Sequence, residues 1–162
     1  MANPIFVMGA PRSGTTLLRL LLTTHSDICI PPESLFFLAL EPRYSNGNIC
    51  VENFLNDLYS KNFPKFCEWN IDRQLLLNNL KRYQELNYAL AVEAVYQTYR
   101  QQFDSKALVW GDKNPCHIHH VDKIQRHFPE SKIILIIRDF RACYSSMKNI
   151  IAKEQDSKKV WT

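Results

Sequence analysis

Apolar residues recur along this chain in two rhythms, and the rhythm sorts the chain into strands and helices. The unbroken run Ile5-Phe6-Val7-Met8 ends at Gly9, and a short apolar run closed by a turn residue predicts a buried strand. Lys132-Ile133-Ile134-Leu135-Ile136-Ile137 is almost wholly aliphatic and β-branched, the composition of a strand buried on both faces of a parallel sheet. Ala107-Leu108-Val109-Trp110 predicts a third short strand. Elsewhere the spacing is helical. Thr15 to His25 is expected as a helix whose Leu17, Leu18, Leu20, Leu21 and Leu22 pack on the sheet. Val51 to Tyr59, with Val51, Phe54, Leu55 and Leu58 on one side, follows the turn signal Asn46-Gly47-Asn48. Leu75 to Leu80, Leu86 to Phe103 and Cys116 to His127 complete the helical set. Strand and helix alternate at both ends around a helical middle, which predicts an α/β fold on a parallel sheet.

Composition narrows the class. A chain of 162 residues with 46% hydrophobic content supports one core, so a single domain over residues 1–162 is expected. The formal charge of +4 is mild, and no basic stretch interleaves with aromatics, which argues against a nucleic-acid partner. A small positive excess does suit an anionic ligand. The odd set Cys29, Cys50, Cys67, Cys116 and Cys143 has no compact spacing, which favours a reducing compartment. No apolar run reaches membrane-spanning length and no signal-type segment precedes the first strand. A cytoplasmic protein with no membrane partner is the expectation.

The chemistry begins at Gly9-Ala10-Pro11-Arg12-Ser13-Gly14-Thr15-Thr16, directly after the first strand. A tight loop leading into a helix aims backbone N–H groups at one point, and the helix dipole adds positive potential there. The spacing Gly-x4-Gly-Thr-Thr is that of a phosphate-binding P-loop with one change. Thr15 stands where a Walker motif has its lysine, and the nearest cation is Arg12. The loop therefore suits a phosphate-like group better than ATP hydrolysis. The last apolar run leads straight into Arg138-Asp139 and on to Ser146. Ligands of open parallel sheets sit beyond the carboxyl ends of the strands, where Arg138 would emerge. Asp139 is the expected helix cap, and Ser146 would lie about 10 Å into that helix.

With both segments in view, the chain resembles the PAPS-dependent sulfotransferase superfamily, nearest its tyrosylprotein-sulfotransferase-like and bacterial-type members. The matching blocks are Pro11 to Arg19, Glu33, Gly111-Asp112-Lys113-Asn114-Pro115, and Phe128-Pro129-Glu130-Ser131-Lys132 through Ser146. The resemblance implies a P-loop-like three-layer α/β/α fold with a central parallel sheet and a helical insertion, shortened at the C-terminal end. It implies that Arg12, Ser13, Gly14, Thr15 and Thr16 hold the 5′-phosphosulfate of PAPS, while Arg138 and Ser146 bind its 3′-phosphate. It casts Glu33 as general base, with Lys113 and Arg12 assisting catalysis, and a hydroxyl of a protein tyrosine, sugar or small metabolite as acceptor. Ile150 departs from the pattern, since the tyrosylprotein branch tends to place a basic residue there.

Glu33 lies in Ile30-Pro31-Pro32-Glu33-Ser34-Leu35-Phe36-Phe37, where partial desolvation is expected to raise a carboxyl pKa. Family members continue beyond the block at Ser146, whereas this sequence runs out in an amphipathic stretch at Val160-Trp161-Thr162. An open cleft and exposed apolar surface favouring self-association are expected to follow. Two other functions stay open: a PAPS- or PAP-binding remnant without turnover, and a P-loop phosphotransferase or NTPase. Phe36, Phe37, Tyr44, Tyr59, Phe63, Phe66 and Trp69 would either line an acceptor pocket or form core. Cys116-His117-Ile118-His119-His120 lacks a second ligand pair at zinc spacing, so no metal site is expected and a helix start after Pro115 is preferred.

Overall fold

The computed structural model describes residues 3–104 and 106–159, and the terminal Val160-Trp161-Thr162 lies outside them. Four short strands, β1 (Ile5–Gly9), β2 (Ile28–Cys29), β3 (Val109–Lys113) and β4 (Lys132–Ile136), form one sheet in the order β2-β3-β1-β4. All three pairings are parallel, with Ile5 opposite both Gly111 and Lys132. Helix α1 (Thr15–Leu22) follows β1, and five helices separate β2 from β3. These are α2 (Phe36–Tyr44), α3 (Val51–Leu58), α4 (Pro64–Cys67), α5 (Arg73–Leu80) and α6 (Tyr88–Phe103). A 3-10 turn (Pro115–His119) and α7 (Val121–His127) connect β3 to β4, and α8 (Phe140–Lys159) follows. The α/β architecture, parallel sheet and helical insertion agree with the sequence-based expectation.

Alternation along β1 explains how the sheet is sandwiched. Phe6 and Met8 point into the main hydrophobic cluster, while Val7, on the opposite face, is equally buried. Phe6 meets Phe37, Trp110, His117 and Phe128 at ring distances of 5.5–6.0 Å. Trp110 stacks on Tyr96 of α6 at 4.4 Å and 7°, which fastens the helical insertion to the centre of the sheet. Phe36, Phe37, Tyr44, Phe66 and Trp69 are all buried in this cluster, so most of the aromatics with two readings are core.

Three local expectations are corrected. β4 is not buried on both faces: it is an edge strand on which Ile133 and Leu135 stay substantially exposed. In α1, Leu17, Leu20 and Leu21 are exposed rather than packed on the sheet. The helix expected from Cys116 to His127 is broken at His120, because the 3-10 turn carries His117 inward to Asp112 (Nε2···Oδ2 2.7 Å). β2, two residues long, carried no sequence signal.

Glu41, buried on α2, ties the insertion to α7. Its carboxylate meets Lys123 at 2.9 Å, Arg126 at 3.1 Å and His127 at 3.4 Å. Burial opposes the charge, but these partners, Lys123 foremost, hold the carboxyl below its ordinary value. A buried carboxylate with depressed pKa stabilises the fold above its unfolded pKa and loses that contribution as pH falls through the folded one. Glu41→Gln is expected to cost about 3 kcal/mol, the low end for breaking a buried pair because Arg126 reaches water. Urea unfolding at pH 7 measures the loss, and the gap to wild type should close in acid, below the ordinary carboxylate range.

Candidate functional site

The loop after β1 is shaped by two close approaches. A Cβ on Gly9 would lie 2.7 Å from the Ile136 carbonyl oxygen and 2.8 Å from Ser13 Oγ, so only glycine lets the loop close onto the end of β4. Arg12 adopts a left-handed φ of 67°, an uncommon conformation for a side chain of its size. Arg138 Nη1 donates to the Arg12 carbonyl at 3.1 Å, which braces that conformation from the neighbouring strand end. Gly14 is the N-cap of α1 with φ 109°, and it offers no side-chain cap. The first turn of α1 carries no acidic residue, and its leading N–H groups have no intrahelical acceptor. Positive potential therefore collects at Thr15 and Thr16.

The second segment converges on the same point. Asp139 caps α8 as expected, its Oδ1 accepting from the Arg141 N–H at 2.8 Å. The Arg141 guanidinium folds back onto the same carboxylate at 2.7 Å and holds it below the usual carboxylate range. Arg141 is thereby occupied at the surface, away from the loop. Ser146 faces inward, and Arg12 Nε donates to its Oγ at 3.2 Å. The result is an open cleft of about 390 Å³, lined by Pro11, Arg12, Gly14, Thr15 and Thr16 from the loop and α1 and by Arg138 and Ser146 from the second segment. Glu33, Pro115 and Cys116 line it as well.

Behind Glu33 stands an ion pair. Lys113, at the end of β3 and almost wholly buried, places Nζ 2.6 Å from Glu33 Oε2. Burial alone would raise the Glu33 carboxyl, but the hydrogen bond and charge of Lys113, joined by Lys65, override it and hold Glu33 below its ordinary value. This reverses the expectation drawn from desolvation. Glu33 does not cap α2, whose N-cap is Leu35 without a side-chain bond. The segment is held instead by Asn114, fully buried, whose Nδ2 donates to the Ser34 carbonyl at 3.1 Å while its Oδ1 accepts from Cys116 N–H at 3.1 Å. One side chain thus positions both members of the pair.

Of the residues singled out from sequence, Arg12, Gly14, Thr15, Thr16, Glu33, Arg138 and Ser146 line one cleft, and Lys113 joins through Glu33. Ser13 does not line it. Its N–H bonds to the Ala10 carbonyl, and its buried Oγ has no hydrogen-bond partner among the described residues. Sequence reasoning missed Asn114 as an organiser and Lys65, whose Nζ reaches Glu33 Oε1 at 3.3 Å from α4. Asn114 sat within a recognised block, but no local signal distinguished Lys65. Among the described residues, no group of three or more His, Cys, Asp or Glu is placed to hold a metal ion, and the described cysteines form no disulfide. No described helix is long and apolar enough to cross a membrane.

Comparison with known proteins gives this geometry its class. The model of the "Sulfotransferase family" matches residues 4–161, nearly the whole chain. The chain belongs to that family. It is similar to nodulation protein NoeE of Sinorhizobium fredii, 30% identical over 152 residues, covering 89% of this chain and 30% of that one. A putative protein-tyrosine sulfotransferase of Caenorhabditis briggsae is 31% identical over 144 residues, covering 88% and 42%. Human protein-tyrosine sulfotransferase 1 is 28% identical over 147 residues, covering 88% and 33%. The chain thus spans less than half the length of these curated relatives. A solved structure, sulfotransferase STF9 from Mycobacterium avium, aligns with a TM-score of 0.44 at 21% identity, covering 91% of this chain and 46% of that one.

If Asn114 positions the pair, Asn114→Ala strands the Ser34 carbonyl and the Cys116 N–H. The bond to the Ser34 carbonyl is buried, whereas that from Cys116 is only partly so; one unmade buried hydrogen bond costs about 1–3 kcal/mol, so a drop of a few degrees in Tm is expected by calorimetry. An unchanged Tm would remove Asn114 from that role.

Proposed function

We propose that this chain carries the donor site and catalytic pair of a sulfotransferase that moves a sulfuryl group from PAPS to an acceptor hydroxyl. The observation that carries this reading is a convergence. The uncapped end of α1, two arginines and the Glu33–Lys113 pair meet at one cleft beyond the carboxyl ends of parallel strands. A cleft of about 390 Å³ is within the range that holds a nucleotide-sized ligand. Its cationic wall suits a bisphosphate, and the one lining carboxylate among the described residues is already paired with lysine. Residues 1–162 are taken as one sulfotransferase-like domain, because strands from both ends of the chain share a sheet.

Arg12, Gly14, Thr15 and Thr16 would hold the phosphosulfate end, and Arg138 and Ser146 the 3′-phosphate. Ser13, turned away, would contribute by packing the loop. Bound there, PAPS supplies a sulfuryl group on a good phosphate leaving group. The chain's own residues do the rest. Fixed N–H groups and Arg12 stabilise negative charge where it develops, with no reorganisation during the reaction. Lys113, withdrawn from water beside Glu33, offers a donor aimed at the same region. Glu33 is ionised at neutral pH, as a general base must be, and takes the acceptor's proton. Such assistance is worth about 10²–10⁴ in rate. Its depressed pKa makes it a weaker base, but one that is fully available.

Calorimetric titration with PAP and with ATP–magnesium tests the donor site. PAP is expected to bind in preference, and preference for ATP–magnesium would instead support a P-loop phosphotransferase. Arg12→Ala and Arg138→Ala should each weaken PAP binding by about 1.5–3 kcal/mol, the worth of a charge-assisted hydrogen bond. An unchanged affinity would show that arginine misassigned. Turnover of a hydroxyl acceptor that disappears in Glu33→Ala would separate an enzyme from a binding remnant.

A further inference from the structure

A carboxylate that accepts a proton from an incoming hydroxyl must present it an oxygen. Both Glu33 oxygens already face a lysine. Oε2 is held by Lys113 at 2.6 Å, a lysine whose side chain is 4% exposed. Oε1 is held by Lys65 at 3.3 Å, a lysine whose side chain is 59% exposed. The two contacts are unequal in length and in their access to water. A buried lysine released from its carboxylate would be stranded, whereas an exposed one exchanges its partner for solvent at small cost. Oε1 is therefore the oxygen that can be vacated. Lys65 sits at the start of α4 and lines an apolar trough of about 200 Å³ with Ser34, Leu35, Asn62, Phe63 and Pro64, and Ser34 adjoins Glu33 in the chain.

We propose that Lys65 is a latch on the acceptor's seat: its ammonium occupies the Glu33 oxygen that the acceptor hydroxyl must reach, and the acceptor displaces it. This rests on the role given to Glu33 above. In the latched state the Lys65 ammonium stands against Oε1 and takes up the approach that the acceptor hydroxyl needs. When Lys65 swings into solvent, the acceptor O–H donates to Oε1, and its proton passes to that oxygen as the acceptor oxygen bonds to sulfur and the sulfur–phosphate oxygen bond breaks. Lys65 keeps its proton throughout and is a positioning residue. The other charged or titratable groups lining the cleft with Glu33 are Arg12, Arg138 and Cys116, beside the hydroxyls of Thr15, Thr16 and Ser146. None of these bonds to Oε1 among the described residues, so Lys65 alone is placed to act as the latch.

The test is a 13C NMR titration of the Glu33 side-chain carboxyl in the full chain, the resonance being assigned by its loss in Glu33→Gln. Lys65→Ala is expected to raise the midpoint by about 0.2–0.7 pH unit, the range an exposed pair supports, and Lys65→Arg to restore it. In wild type, raising NaCl from 0.05 to 1 M should move the midpoint towards the Lys65→Ala value, because an exposed pair is screened. Lys113→Met, whose effect should exceed that of Lys65→Ala, serves as the control. A Lys65→Ala midpoint equal to wild type, or a wild-type midpoint insensitive to salt, would overturn the latch. PAP titration of the same samples keeps the failures apart. PAP binding with no change at Glu33 overturns the latch alone, whereas absence of PAP binding in wild type overturns the donor reading and the latch's role with it.

Discussion

A lysine ammonium taken out of water demands an anion beside it, and much of this site follows from how that demand is met. Lys113 emerges at the carboxyl end of β3 with almost no solvent access. Its anion comes from Glu33, 80 positions earlier, and the two meet at 2.6 Å. The pairing draws the segment after β2 across the end of the sheet, where the adjoining Phe36 and Phe37 enter the aromatic core. Asn114 then locks the arrangement from the next position in the chain. The same contact that gives Lys113 its counter-charge brings the Glu33 carboxylate into the cleft lined by the loop after β1.

The cleft is electrostatically lopsided. The end of α1, Arg12 and Arg138 contribute positive potential, while the one lining carboxylate among the described residues is tied to lysines. Asp139, the nearest other acid in sequence to Arg138, is absorbed by its helix cap and by Arg141. Acids that would compete for the arginines are thus spent elsewhere. The two arginines act on the protein itself as well: one reaches the α8 hydroxyl at Ser146, and the other braces a left-handed residue in the loop.

Features coded by neighbouring residues were legible in the sequence. The loop from Gly9 to Thr16 and the cap at Asp139 depend on turn geometry and short-range hydrogen bonds, and β1 and β4 on continuous apolar runs, whereas β3 begins at Val109, inside the expected run Ala107–Trp110, and ends on Gly111-Asp112-Lys113. Features set by distant partners were not. Local composition around Glu33 suggested desolvation but did not contain Lys113 or Lys65, so the direction of its titration came out reversed. The aliphatic run of β4 reported what the strand is able to bury, not what covers it, and the leucines of α1 misled for the same reason. His117 turned inward to a buried aspartate, which broke a helix that periodicity alone would have continued through His120. Membership of the sulfotransferase family was legible from ordered blocks, each built from local sequence.

The bonds that close the cleft join residues 126 and 134 positions apart. Loop-closure entropy grows with such separation, and contacts of this span form late when topology governs the folding rate. The pocket consequently draws on residues spread from Pro11 to Ser146, and no shorter stretch contains its described lining. An anion that prefers the completed pocket would then act as a thermodynamic clasp, drawing the two ends of the polypeptide together and adding to native-state stability in proportion to the logarithm of its concentration.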